Sequence, residues 1–302
     1  MATSISFPVL GSINVGVSTA FNSQLWAAGT VWDKFTYKAS SDGASQIYPR
    51  LDVISGLREW VGDRVVKSLS QTSFTIANRT FEETIGIRRE DIEDDRYGIL
   101  TPAAEMLGQN AGRLPDLLIA QLMKIGNVTP TYDGQNFFDP AHPNPNADGL
   151  TTGTVANYVA GASAPWFLLD TTRVLRPFIF QTRRPFQVIP KFSMTDPQVF
   201  WNKEFEWGVD GRCNAGFGLW QLAFMSQQPM THDNVLAART TMTGIRRPDG
   251  APMGITPNML VTTSANYPAA KALQLNDFQP GAVTTPNLLK GMFEAVEDQW
   301  LN

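Results

Sequence analysis

The chain has 302 residues, 43% of them hydrophobic and only 17% charged, with a net charge of −4 and a pI near 5.3. This length fits one large domain or two ordinary ones, and the low charge fits either a loop-rich protein or one whose surface is covered by other subunits. The acidic balance excludes a phosphate-gripping basic stripe, the single Cys213 excludes internal disulfides and cysteine metal clusters, and no apolar run is long enough to span a bilayer.

Residues 1–48 are rich in Ser, Thr, Gly and Asn with scattered aromatics, among them Trp26 and Trp32. They read as an extended arm lying on a surface, with a short helix over 20–28, since a disordered tail is poorer in aromatics. Residues 49–89 read as a polar β excursion, with strands near 64–69 and 72–77, a turn at Asn78-Arg79 and a return over 81–87. An isolated hairpin is marginal in water, so this one is expected to lean on something, another chain being one candidate. The run RREDIEDDR (88–96) packs five acids and three bases into nine residues, a pattern of solvated or salt-bridged connections. Its adjacent Asp94 and Asp95 point apart on a helix and make no metal site.

A helix is predicted over 101–125, opened by Thr101 and Pro102 and buried along Leu114, Leu117, Leu118, Leu122 and Ile125. Pro115 is expected to kink or split it, and Gly126 to end it. Residues 132–154 carry too much Pro, Gly and Asn for regular structure. His142 lies there beside Asp139, and a lone His–Asp pair points to loop architecture before metal or acid–base chemistry. Two apolar runs, WFLLD (166–170) and PFIF (177–180), are predicted to pair in one sheet with the segment that follows.

That segment, 198–224, holds three of the eight tryptophans. Trp201, Phe205, Trp207 and Val209 alternate with polar residues, the period of a half-buried strand. Asp210-Gly211 reads as a turn, and Phe217, Trp220, Leu222 and Phe224 as a return strand apolar on both faces. Trp201, Phe205, Trp207, Phe217, Trp220 and Leu222 are therefore the predicted core. From 231 onward a helix (234–242, with His232 capping or at the surface), a strand (255–263) and a helix (267–275) suggest a small α/β unit, followed by a tied-down apolar C-terminus. The sequence contains no P-loop, nucleophile elbow, HExxH or strand-borne GxGxxG, and two histidines with one cysteine leave little material for catalysis. The expectation is no catalytic residue, no metal and no cofactor.

Six blocks carry a resemblance: REWVGDRVV (58–66), TFEETIGIRREDIEDDRYGI (80–99), YDGQNFFDPAHPN (132–144), WFLLDTTRVLRPFIFQ (166–181), EFEWGVDGRCNAGFGLWQLAF (204–224) and GITPNMLV (254–261). In order and in kind they resemble the major head subunit of Mu-like phages. The resemblance implies an α+β Hong Kong 97-type capsid fold: an N-arm (1–48), an extended β-hairpin loop (49–90), a peripheral domain (91–230) and an axial α/β domain with the C-terminal segment (231–302). The peripheral domain would contain a long spine helix (101–125) and an antiparallel sheet including 166–224. Because the long sheet precedes the α/β unit, a rearranged element order or a discontinuous peripheral domain is expected.

The implied function is a self-assembling shell of hexamers and pentamers around double-stranded phage DNA, held without sequence-specific binding. The implied location is the virion, assembled in the host bacterial cytoplasm. The implied partners are a scaffold protein, a portal protein and a decoration protein, with no membrane. Interface candidates are Arg58, Trp60, Asp63, Arg64 and Lys67 on the loop and Trp26 and Trp32 on the arm. Alternatives are an encapsulin-like nanocompartment shell and, far behind, a small-molecule α/β enzyme.

Overall fold

The computed structural model describes residues 7–49, 73–93 and 100–302. The first described element is a helix, α1 (Phe7–Ala27), not an extended arm. Its buried residues Leu10, Val17, Ala20 and Phe21 recur at spacings of three, four and seven, one stripe of a helix. The many Ser, Gly and Asn residues around that stripe have weak helix propensity, so tertiary packing decides the outcome.

The packing partner is α3 (Leu100–Lys124), which runs without interruption through Pro115. Pro115 removes one backbone donor from this helix but does not end it. Gly108 and Gly112 let the two helices touch. A Cβ on Gly108 would lie 2.3 Å from the Phe21 carbonyl oxygen, and one on Gly112 would lie 2.7 Å from that of Leu25.

Over these helices lies a four-stranded sheet in the order β1 (Thr36–Ser40), β9 (Phe178–Lys191), β10 (Glu204–Phe217), β4 (Arg79–Arg88). The β9–β10 and β10–β4 pairs are antiparallel and β1–β9 is parallel. Phe205, Trp207, Val209 and Cys213 of β10 face the helices and are buried. Asp210-Gly211 is therefore not a turn. The strand continues through it with register shifts between Asp210 and Cys213, a bulge where the Phe186 ring presses to within 2.7 Å of a Gly211 Cβ position. The actual reversal is the connection from β9 to β10, which holds the short helix α4 (Pro197–Asn202). Trp201 sits on α4 and is 78% exposed, so it is not core. The alternation extended backward from β10 into a segment that is helical.

Nor is Asn78-Arg79 a hairpin turn. β3 (Ser73–Ala77) pairs antiparallel with β2 (Ser45–Pro49), while β4 departs to β10. A short helix, α2 (Arg89–Glu93), follows β4. The loop at 132–154 contains a small hairpin, β5 (His142–Pro145) with β6 (Thr152–Val155), where only irregular structure was expected.

The second body is a five-stranded sheet in the order β13 (Glu294–Glu297), β12 (Met259–Thr262), β8 (Trp166–Leu169), β11 (Ala223–Ser226), β7 (Tyr158–Val159). Every residue of β8, β11 and β12 is buried, as fits strands covered on both faces. With helices α5 (His232–Thr243) and α6 (Tyr267–Leu275) it forms one core. The single sheet expected over 166–224 is thus divided: β8 and β11 belong here, β9 and β10 to the long sheet. Short apolar runs do not encode which sheet they enter, because their periodicity is the same in both. Trp220 and Leu222 lie in a 3-10 turn between the bodies and are buried, and Phe217 is half-buried against Phe137, ring centroids 4.3 Å apart. Ile119 and Met123 of α3 also join the second core, so the helix runs beneath both bodies.

Candidate functional site

Among the described residues no group of three or more His, Cys, Asp or Glu side chains could hold a metal. His142 is fully buried. Its Nδ1 lies 2.7 Å from Asp133 Oδ2, its Nε2 faces the Phe137 carbonyl at 3.3 Å, and its ring stacks on Trp220 at 3.8 Å. The partner is Asp133, not Asp139, whose carboxylate accepts the Ala141 N–H. Enclosed on every side, this pair fixes a loop against the 3-10 turn. His232 is buried too, not at the surface, and Thr231 caps α5 by accepting the Asn234 N–H. Burial pushes the Cys213 thiol up to about 12, which leaves no reactive thiolate.

The chemistry that remains is that of contacts. Asp116, buried on α3, accepts the backbone N–H groups of Val31 and Trp32 at 3.1 and 2.8 Å and ties the segment after α1 to α3. Nearby Asp298 accepts the Trp300 N–H, and Lys124 Nζ donates to the Asn302 carbonyl at 2.7 Å. The N-terminal segment, α3 and the C-terminus therefore meet at one junction. Burial raises the Asp298 carboxyl from 3.8 to about 6, and the Asp116 charge adds to it. Asp116 is also raised by burial, against the two N–H groups that favour its charge.

A raised folded-state value means that folding favours the protonated form. The stabilising contribution is present below about pH 4 and is lost as pH rises through about 6. Asp298→Asn, which keeps the acceptor, should therefore stabilise the dissociated subunit by about 1–3 kcal/mol at pH 8 and by little at pH 4. Urea unfolding at the two pH values checks this; equal effects at both would refute the ionisation account.

Two grooves flank α3 beneath the long sheet. One, on the β1 side, is walled by Leu25, Trp26, Trp32, Pro115 and Phe180. Trp26 stands 82% exposed at its rim. Trp32 is half-buried, 4.8 Å from the Phe180 ring with Lys38 Nζ over its face, so much of it is committed within the chain. The other groove, on the β4 side, has Leu107, Leu114, Leu117 and Phe186 in its walls and Glu82 and Glu83 at β4. On α4, between β9 and β10, Phe200 and Trp201 form an exposed edge-to-face pair at 5.0 Å. Arg58, Trp60, Asp63, Arg64 and Lys67 lie outside the described residues. The sequence reading missed Asp116 and the Gly108–Gly112 contact. The four-residue glycine spacing on a predicted helix was the available signal.

The family described as "Mu-like prophage major head subunit gpT" matches residues 10–301. The chain belongs to the Mu-like major head subunit family. The major capsid protein of Escherichia phage Mu is 34% identical over 287 residues, covering 93% of this chain and 94% of that protein. The procapsid of bacteriophage JBD30 contains a chain 35% identical to this one, with a TM-score of 0.85 over 98% of this chain and 100% of that one. A JBD30 capsid "decorated with minor capsid protein trimers" matches at 25% identity, TM-score 0.77, over 91% and 92% of the two chains. This major head subunit thus has the Hong Kong 97-like fold, is a structural component of the phage virion and is not an enzyme. No described helix is long and apolar enough to cross a membrane.

Proposed function

We propose that this subunit assembles into hexamers and pentamers that close into an icosahedral shell around double-stranded DNA. The observation that carries the proposal is the division of the chain into a long-sheet body on α3 and a five-stranded α/β body, within a chain of the Mu-like head family. The long sheet with α3 fits the peripheral domain and its spine helix. The five-stranded body, built from segments on both sides of β9 and β10, fits the axial domain that meets its copies at a capsomer centre. On this reading the axial domain is interrupted in sequence and takes in β7, β8 and β11, well before 231, where the sequence reading began it. The N-arm contains α1, and the β2–β3 pair fits the base of the extended loop.

Many contacts per subunit, each modest, sum through symmetry to a stable shell. A net charge of −4 suits DNA held by enclosure more than by phosphate contacts. A scaffold, a portal and a decoration protein complete the proposed set of partners. Particles isolated from phage-producing cells and treated with nuclease test the contents. Protected double-stranded DNA is the expected result; particles holding a cargo protein and no DNA would favour a nanocompartment instead.

A further inference from the structure

We propose that Trp26 of one subunit inserts into the groove between β4 and α3 of the adjacent subunit, a reading that rests on the shell function above. On a helix turning roughly 100° per residue, Gly112 and Leu114 point about 200° apart. α1 packs on the Gly108–Gly112 side of α3, whereas Asn110, Leu114 and Leu117 line the β4 groove. Trp26 and that groove therefore lie on opposite flanks of the same subunit. The sheet order β1-β9-β10-β4 places its two edges on the same two flanks. Trp26 is 82% exposed at the end of a helix clamped by the glycine contacts and by the Asp116 bonds just beyond it. It is an aromatic group held out rigidly, the form in which a side chain anchors an interface at low entropic cost.

The groove suits an indole. Leu107, Leu114, Leu117, Phe186, Val209 and Trp300 line it. Charge complements the fit. Glu82 and Glu83 are exposed on the groove side, with Arg113 the one cation in its lining. Lys38 is exposed and Arg184 stands in the groove wall on the Trp26 flank, where Asp33 is the acid beside Lys38 and Asp210 the one paired with Arg184. A knob on one flank and a hole on the other make a head-to-tail contact, and such a contact generates rings when its rotation closes. The occupant is accordingly a second copy of this chain.

Asn22 is exposed one turn before Trp26 on the same helix face, and Asn110 is exposed in the groove wall. The double variant N22C/N110C leaves Trp26 in place, and the native Cys213 is buried. Mild oxidation of its particles should give a ladder of covalent oligomers on a non-reducing gel, and neither single variant should. In parallel, Trp26→Ala should lower particle yield at least tenfold with the circular dichroism of the subunit unchanged, and Leu114→Trp, which fills the groove, should do the same. Intact particles without a ladder, or Trp26→Ala particles at normal yield, would overturn this contact and leave the shell function standing. A parent chain that never sediments as particles would overturn both.

Discussion

Replacing Gly108 by leucine should destabilise the subunit by about 3 kcal/mol or more. The position lies where α3 crosses α1, and even a methyl group there would come within 2.3 Å of the Phe21 carbonyl oxygen and 3.1 Å of Gln24 Cβ. A backbone oxygen of a packed helix cannot swing aside as a side chain does. The helix-propensity gain of Gly→Ala is about 1 kcal/mol, and overpacking of this kind costs about 1–3 kcal/mol. Gly108→Ala is therefore expected to be net destabilising by about 1 kcal/mol. Gly108→Leu, which must push the helices apart along their length, should cost about 3 kcal/mol or more. Denaturant unfolding of the dissociated subunit measures both. Parental stability in the leucine variant would mean that α1 does not sit on α3 as described.

The second large effect is a contrast between two tryptophans six positions apart. Trp207 is fully buried between the long sheet and α1, and its indole N–H reaches Asn14 Oδ1 at 3.3 Å. It packs in a cluster with Leu10, Ala104, Val199 and Phe205. Trp207→Ala should cost about 3–5 kcal/mol, the range for removing a large aromatic from a core. Trp201→Ala should change subunit stability by less than about 0.5 kcal/mol, because its ring is exposed and touches mainly Phe200. Thermal unfolding of the two variants side by side checks the pair. Equal losses would place Trp201 in the core after all.

That contrast also marks how far the sequence could be read. Alternation from Phe205 to Val209 located the first part of β10, because period two survives in a strand with one buried face. It could not report that Trp201 precedes the strand on a helical turn, since one residue in phase is no test of conformation. Asp210-Gly211 has the chemistry of a turn, yet here the glycine serves a bulge under Phe186. The span of α3 was legible and its proline did not break it, but its buried face was misread: of Leu114, Leu117, Leu118, Leu122 and Ile125 only Leu118 is buried, Ile125 is exposed, and the core side runs instead through Ala104, Leu107, Ile119 and Met123. The N-terminal helix was hidden by poor propensity, and its stripe of Leu10, Val17 and Phe21 has meaning only against the glycines of α3. Sheet membership was the least legible feature. β8 and β9 read alike, and only the closed hydrogen-bond ladders with β11, β12 and β10 separate them. The family was legible from long, specific blocks, whereas the contacts it uses depend on surfaces assembled from distant segments.

The central claim is that one rigid subunit meets its copies through the five-stranded body at capsomer centres and through the flanks of the long sheet around them. A cryo-electron microscopy reconstruction of assembled particles tests this most directly. The expected map shows fivefold and sixfold capsomers with β8, β11 and β12 nearest each axis and the α3 helices arranged around them. A map with the long sheet at the axes and the five-stranded body at the periphery would contradict it.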